Sequence, residues 1–464
     1  MNFYCRTLVT LVLCCGTVSA RADKVDDYIE AQMRQLHIPG LSLAVVRAGQ
    51  TVKLRAYGLA NVELNAPVTQ DTIFEIGSIT KQFTATAIMM LVEDGRVGLD
   101  DKISKYLDGL PAAWGGVTIR HLLTHSSGIQ NYLLAPGLFE ATARPGQSHD
   151  DIARLFFARL QELDFQPGAT WAYSNTGYLL LGNVIEKASG KSYWEFLEER
   201  IFRPLGMKAS RSGEPAAIIS GRAAGYEWTG NSFRNRAALT ENAYGAGSIV
   251  STAGDMAKWD AALYGEQLLK RTSLNQMWTP AKAAGGALAP FNYGFGWFVD
   301  TYHGHRVVAH TGGTPGFSSA IYRFVDDRLT VIILTNHADR IIDHLAIDVA
   351  GIYVPALARP KGAGADPDAR TSQMLKKALL DLCGGKADPG QFTEAMQVFL
   401  KTAMGREVWP WVCADGEVKS FAWSESEGTG DARILRYNAV LGNATRWFSF
   451  TVTADGKIAQ VYWW

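Results

Sequence analysis

Ser78-Ile79-Thr80-Lys81 sets a hydroxyl and an amine three residues apart, just before an apolar run that Gly95 ends. At helical spacing the two share a face, with Cβ atoms about 5–6 Å apart. Apolar surroundings that strip water from the amine make its neutral form accessible, and that form can take the serine proton. Backbone N–H groups at the same helix terminus favour the negative oxygen of a tetrahedral intermediate. Taken alone, the pattern more often marks a helix cap followed by a solvated lysine. Here it is the chain's one Ser-x-x-Lys, and it lies between the β-rich Phe74-Glu75-Ile76-Gly77 and the apolar segment Thr80–Glu93.

A second set is Tyr173-Ser174-Asn175, between Gln166-Pro167-Gly168 and Thr176-Gly177. In a loop before a helix, the phenol can relay protons and the amide can bind a substrate carbonyl. The bland alternative is an N-cap at Asn175 or Thr176 with Tyr173 packed beneath it. The third is His310-Thr311-Gly312-Gly313, closing the β-rich run Arg306–His310. The threonine offers a hydroxyl to a bound ligand, and the glycines let that ligand lie against the strand's backbone. A strand ending in a Gly-rich turn would look the same.

The three sets occur once each, in this order, each on the element type its chemistry needs. Together they resemble the serine β-lactamase and penicillin-binding family, most closely its class C β-lactamase, D,D-peptidase and esterase branch. Further stretches are similar: His121-Leu122-Leu123-Thr124-His125-Ser126-Ser127-Gly128, Gly245-Ala246-Gly247-Ser248, Ser251-Thr252-Ala253-Gly254-Asp255 and Tyr293-Gly294-Phe295-Gly296-Trp297. The likeness covers residues 25–352. It implies that Ser78 is acylated and that Lys81 activates it. Tyr173 would pass a proton to the leaving group and later help activate water. Asn175 would hold the acyl side-chain amide. The N–H groups of Ser78 and Gly313 would form the oxyanion hole, and Thr311, with His310 and Gly312 beside it, would line the substrate's polar end. One departure matters. Many β-lactamases begin the third motif with Lys, and here the residue is His310, which at an ordinary pKa near 6.5 is mostly neutral. Attraction for a substrate carboxylate is weaker, which moves the expected activity from a β-lactamase towards a D,D-carboxypeptidase or D-amino-acid peptidase. An esterase or amidase on small acyl substrates, or a β-lactamase, is the alternative, and a penicillin-binding sensor or binding protein without turnover is the non-enzyme one.

The elements that must hold these residues can be read in outline. Val25–Leu36 has a helical pattern stopped by Pro39-Gly40. Leu41–Val46 and Val52–Tyr57 flank Ala48-Gly49-Gln50 as a β-hairpin. Residues 100–290 are helical pieces, among them Asp150–Leu163 and Gly177–Ala188, broken by Gly and Pro. Strand character returns at Phe295–Thr301, Arg306–His310, Ser318–Phe324 and Leu329–Thr335. The expected fold is α/β in the α+β sense: an antiparallel sheet flanked by helices, with an inserted helical lobe, over residues 21–355. Residues 356–369 read as a linker. Residues 370–464 read as a small α+β domain with a curved antiparallel sheet. Its helices are expected over Thr371–Leu382 and Pro389–Ala403, and its strands near Val418–Trp423, Ala432–Leu441, Thr445–Thr453 and Lys457–Trp464. No motif in it carries chemistry.

Composition narrows the rest. Lys+Arg 45 against Asp+Glu 45 leaves no net charge to draw the 464-residue chain to nucleic acid. Arg6, the apolar run Leu8–Cys15 and the small-residue ending Val18-Ser19-Ala20 read as a signal peptide cleaved near Ala20, giving a periplasmic or secreted protein without a stable membrane span. Cys383 and Cys413 then remain as an even pair that an oxidising compartment allows to bridge. No cofactor or metal is expected. His121 and His125, four apart, are the weak exception, and His303 and His305 read as surface residues in a turn. An α/β-hydrolase is excluded because no Gly-x-Ser-x-Gly exists. The partner is a small-molecule or peptide substrate, and nothing in the sequence sets the oligomeric state.

Overall fold

Leu41–Val46 and Leu329–Leu334 are apolar on both strand faces, as strands covered on both sides must be, and they pair at the centre of one antiparallel sheet. The computed structural model describes residues 23–142, 147–236, 241–338, 342–359, 366–428, 432–442 and 444–463. The leading segment expected to be a signal peptide, and residues 360–365 of the expected linker, lie outside the described residues. The strands are β1 (Gly40–Arg47), β2 (Gln50–Asn61), β3 (Ala66–Pro67), β4 (Phe298–Tyr302), β5 (His305–Thr314), β6 (Phe317–Phe324) and β7 (Leu329–Thr335). Their order across the sheet is β3-β2-β1-β7-β6-β5-β4, so chain-distant strands meet at β1 and β7.

Helix α1 (Lys24–Leu36) and a late helix, Ile342–Tyr353, cover one face through Ile29, Leu43, Val331 and Leu345. The other face packs on the large insertion, whose central helix α2 (Thr80–Glu93) buries every residue from Thr80 to Leu91. A helix enclosed on all sides needs no polar stripe. Helix α3 (Asn175–Ser189) packs beside it, with Ser174 as N-cap accepting from the Gly177 N–H at 3.3 Å.

The chain then forms α4 (Ala369–Cys383), α5 (Glu394–Lys401), α6 (Ala403–Val412) and a four-stranded sheet in the order β8 (Val418–Glu427), β9 (Ala432–Leu441), β10 (Ala444–Thr453), β11 (Ile458–Trp463). Cys383 and Cys413 are bonded, tying the end of α4 to the end of α6. The core of this unit is shared: Leu379, Phe399, Val408 and Phe450 join Trp171, Phe291 and Tyr293 in one apolar cluster. Gln460 Nε2 donates to the Ala289 carbonyl and to Asn292 Oδ1, both at 2.8 Å, and Thr170 Oγ1 donates to the Ala395 carbonyl at 2.7 Å.

Two elements differ from expectation. The strand expected from Phe295 begins at Phe298, because Gly294 and Gly296 are held in close contacts instead: a Cβ on Gly296 would lie 2.7 Å from the Lys81 carbonyl. The helix expected over Pro389–Ala403 is two helices. Thr402 is extended and caps the Gly405 N–H at 3.0 Å, which starts α6 and carries it to Val412.

Candidate active site

Ser78 sits in a single 3₁₀ turn, Gly77–Ile79, that runs directly into α2. Gly77 has φ +49°, and a Cβ there would lie 2.7 Å from the Gly313 amide nitrogen. Only glycine lets the serine turn approach the end of β5 so closely. Glu75 strengthens the same junction, accepting from Thr314 Oγ1 at 2.7 Å and from Arg222 Nη2 at 2.8 Å. The Gly313 N–H and the Ser78 turn are thus brought together, as an oxyanion hole requires.

Lys81 is fully buried. Its Nζ lies 2.7 Å from Asn175 Oδ1, 2.7 Å from the Ala246 carbonyl and 3.2 Å from Ser78 Oγ. The two carbonyl oxygens can only accept, so they take both N–H groups of a neutral amine. The lone pair then faces the serine hydroxyl. Burial drives the amine well below its ordinary pKa, and no carboxylate pairs with it among the described residues. The Tyr173 ring centroid lies 4.7 Å from Nζ.

His310 is also fully enclosed. Its Nδ1 lies 2.6 Å from the Thr311 carbonyl, which can only accept, so Nδ1 carries the proton and Nε2 accepts the Tyr293 hydroxyl at 2.9 Å. Burial pushes its pKa down to about 3. The ring is therefore a neutral strut rather than a cation. Thr311 and Gly313 open on the cleft. Gly312 lines the cleft as well, and a Cβ there would lie 2.0 Å from the Ile76 carbonyl. Its missing side chain serves the contact between β5 and the serine turn.

Three participants had no clear signal in the sequence. Asn131 Oδ1 accepts from the Asn175 N–H at 3.3 Å and from Asn175 Nδ2 at 3.4 Å. The Ala246 carbonyl holds Lys81. His125 brackets Tyr173, its carbonyl accepting from Ala172 at 2.9 Å and its Nδ1 from Ser174 at 3.2 Å. The last two fall in stretches already quoted as family-like, yet a backbone carbonyl has no residue signature. His121 and His125 do not share a helix face, since that helix is only Ile119–Leu123 and His125 follows it at φ +57°. His303 and His305, expected at the surface, pair with Glu425 at 2.7 Å and Asp327 at 2.8 Å.

One cleft of about 740 Å³ contains the whole constellation: Ser78, Tyr173, Asn175, His310, Thr311 and Gly313. Its size and mostly apolar lining are those of a small-molecule site.

The model of the Beta-lactamase family matches residues 25–350. The chain belongs to the Beta-lactamase family. It is 32% identical over 311 residues to a penicillin-binding protein of Bacillus subtilis, covering 64% of this chain and 67% of that one. It is 29% identical over 336 residues to a D-aminopeptidase of Gluconobacter oxydans, covering 72% of this chain and 61% of that one. The chain thus spans about three fifths to two thirds of these relatives' lengths. Among solved structures, a D-amino acid amidase of Ochrobactrum anthropi superposes with TM-score 0.61 at 26% identity, over 72% of this chain and 97% of that one. An octameric penicillin-binding protein homologue from Pyrococcus abyssi shares the fold over 94% of both chains, with TM-score 0.64 and 23% identity. The protein is a serine hydrolase of this fold.

Proposed function

We propose that this hydrolase cleaves D-amino-acid amides and peptides through an acyl-enzyme on Ser78. The observation that carries the reading is the neutral, hydrogen-bonded His310, which leaves the third motif without a fixed cation. A D,D-carboxypeptidase or a β-lactamase must hold a substrate carboxylate, and a cation is the ordinary means. The cleft's arginines, Arg436 and Arg446, are engaged by Glu425 at 3.1 Å and by Asp415 at 2.7 Å. Its other ionisable side chains include the acids Asp300, Asp343 and Glu407, which suit a substrate with a free ammonium group. The names of the relatives, a D-aminopeptidase and a D-amino acid amidase, agree with this choice.

The steps follow from the contacts. Neutral Lys81 takes the Ser78 proton as the oxygen attacks the carbonyl carbon. The Ser78 and Gly313 N–H groups stabilise the oxyanion. The proton reaches the departing nitrogen through Tyr173, whose ring flanks the same amine. Asn175 gives its Oδ1 to Lys81 and one Nδ2 N–H to Asn131, and so keeps the other Nδ2 N–H for the substrate carbonyl. Water then attacks the ester, with Tyr173 and Lys81 reversing their roles. Export follows from the leading segment, and the Cys383–Cys413 bond is the kind an oxidising compartment preserves.

A hydrolysis panel tests the reading: D-alanine amide, L-alanine amide, a peptide ending in D-Ala-D-Ala, nitrocefin and p-nitrophenyl acetate, with Ser78→Ala as control. The D-amide should exceed both its L-isomer and the free-carboxylate peptide in kcat/KM. A panel led by nitrocefin or by the D-Ala-D-Ala peptide would overturn it.

A further inference from the structure

The C-terminal unit carries no chemical motif, yet it walls the catalytic cleft. Val408, Trp411, Tyr462 and Trp463 line the same cavity as Ser78 and Thr311. The unit is fixed there by more than proximity. The Asn292 N–H donates to the Tyr462 hydroxyl, and the Phe291 ring lies edge-on to Tyr462 at 5.0 Å and to Trp463 at 6.0 Å. Asn292 precedes Tyr293, the residue that holds His310. The wall and the catalytic strand are therefore parts of one packed unit.

Exposure supplies a second observation. Large apolar side chains left in solvent are few, and those that converge mark binding surfaces. Leu133 is 45% exposed and Trp411 is 38% exposed, and both line this cleft, one from the helical lobe and one from α6. Leu133 lies two residues after Asn131, which contacts Asn175. Trp411 has Arg446 over its ring at 5.8 Å, which orients the indole at the rim.

We propose that these residues form a distal subsite for an apolar, preferably aromatic, group of the substrate, with Leu133 and Trp411 as its two jaws and Phe291, Val408, Tyr462 and Trp463 as its wall. The subsite rests on the acyl-enzyme reading above and gives the motif-free unit a role in substrate choice. Burial of a phenyl or hexyl group there removes apolar area from water on both sides of the cleft.

The test uses the full chain and p-nitrophenyl esters of acetate and octanoate, then methyl and benzyl esters of D-alanine. The readout is the ratio of kcat/KM for the larger substrate to that for the smaller, within each protein. Trp411→Ala and Leu133→Ser should each lower one of the two ratios about tenfold, and Ile218→Ser, a fully exposed apolar residue elsewhere, should not. The arm that responds assigns the subsite to the acyl or to the leaving side. Ratios unchanged within twofold in both arms would overturn the subsite. Equal kcat/KM for the methyl esters of D- and L-alanine, with the size effect persisting, would overturn the substrate reading alone.

Discussion

Two cations are fully buried in the catalytic unit, and they have opposite fates. Lys81 Nζ meets only neutral oxygens, and desolvation drives it towards the free amine. Arg323 Nε donates to Asp260 Oδ1 at 2.6 Å, and its guanidinium lies 4.7 Å from the Tyr264 ring and 4.8 Å from Trp278. Burial pushes the Asp260 carboxyl up, and Arg323 and the Thr330 hydroxyl pull it back. A guanidinium cannot give up its proton, so this pair stays ionic and inert. The basic group's own proton affinity, together with the presence or absence of a paired carboxylate, decides whether it becomes a base or a strut.

Lys81→Met is the sharpest way to break that contrast. The thioether keeps the length and removes the base, so kcat/KM on a D-amino-acid amide should fall about a hundred- to ten-thousandfold. Stability should change far less, because the burial penalty of an amine leaves with it. Activity within tenfold of the parent, read beside an unchanged circular-dichroism spectrum, would refute the role of Lys81.

Asp260→Ala probes the other cation. It leaves a permanent charge in a dry core without its acid, and removing one partner of such a pair destabilises by about 3–5 kcal/mol. Urea unfolding should show that loss, while kcat per folded molecule stays near the parent's. A stability change under 1 kcal/mol on that scale would mean that the aromatic rings alone carry Arg323.

How much of this was legible depended on where the identity of each group resides. In the proposed mechanism Ser78, Lys81, Tyr173 and Asn175 act through side chains, and their types and spacing pointed to them. Lys81 is held by the Ala246 carbonyl, and any residue could supply that atom, so no sequence pattern names it. The second contact of Gly312 was equally hidden, since a glycine that lines a cleft reads the same whether or not it also abuts the Ile76 carbonyl. The sheet and its inserted lobe were readable from periodicity. Helix α6 was not, because Trp409-Pro410-Trp411 breaks a helical pattern that Thr402 capping and packing against Leu379 and Phe399 sustain. That the C-terminal unit lines the cleft follows only from tertiary packing, which its own residues do not reveal.

His310 sharpens the comparison by the smallest measure. Like Lys81 it is a buried base without an acid, and its folded pKa near 3 lies below the ordinary 6.5. The unfolded chain therefore binds its proton more tightly than the folded one between those values. Stability from this group is complete above about 6.5 and is lost as pH falls towards 3, at about 1.4 kcal/mol per pH unit inside the window. His125, His121 and His149 are shifted in the same direction by burial, so the parent's acid limb contains them as well. His310→Gln removes one of these contributions. Its unfolding free energy, measured in urea at pH 4, 5 and 6, should rise with pH less steeply than the parent's by about one proton. Parallel lines would mean that His310 already carries its proton in the folded state, and the neutral third motif, with the preference against carboxylate substrates, would go with it.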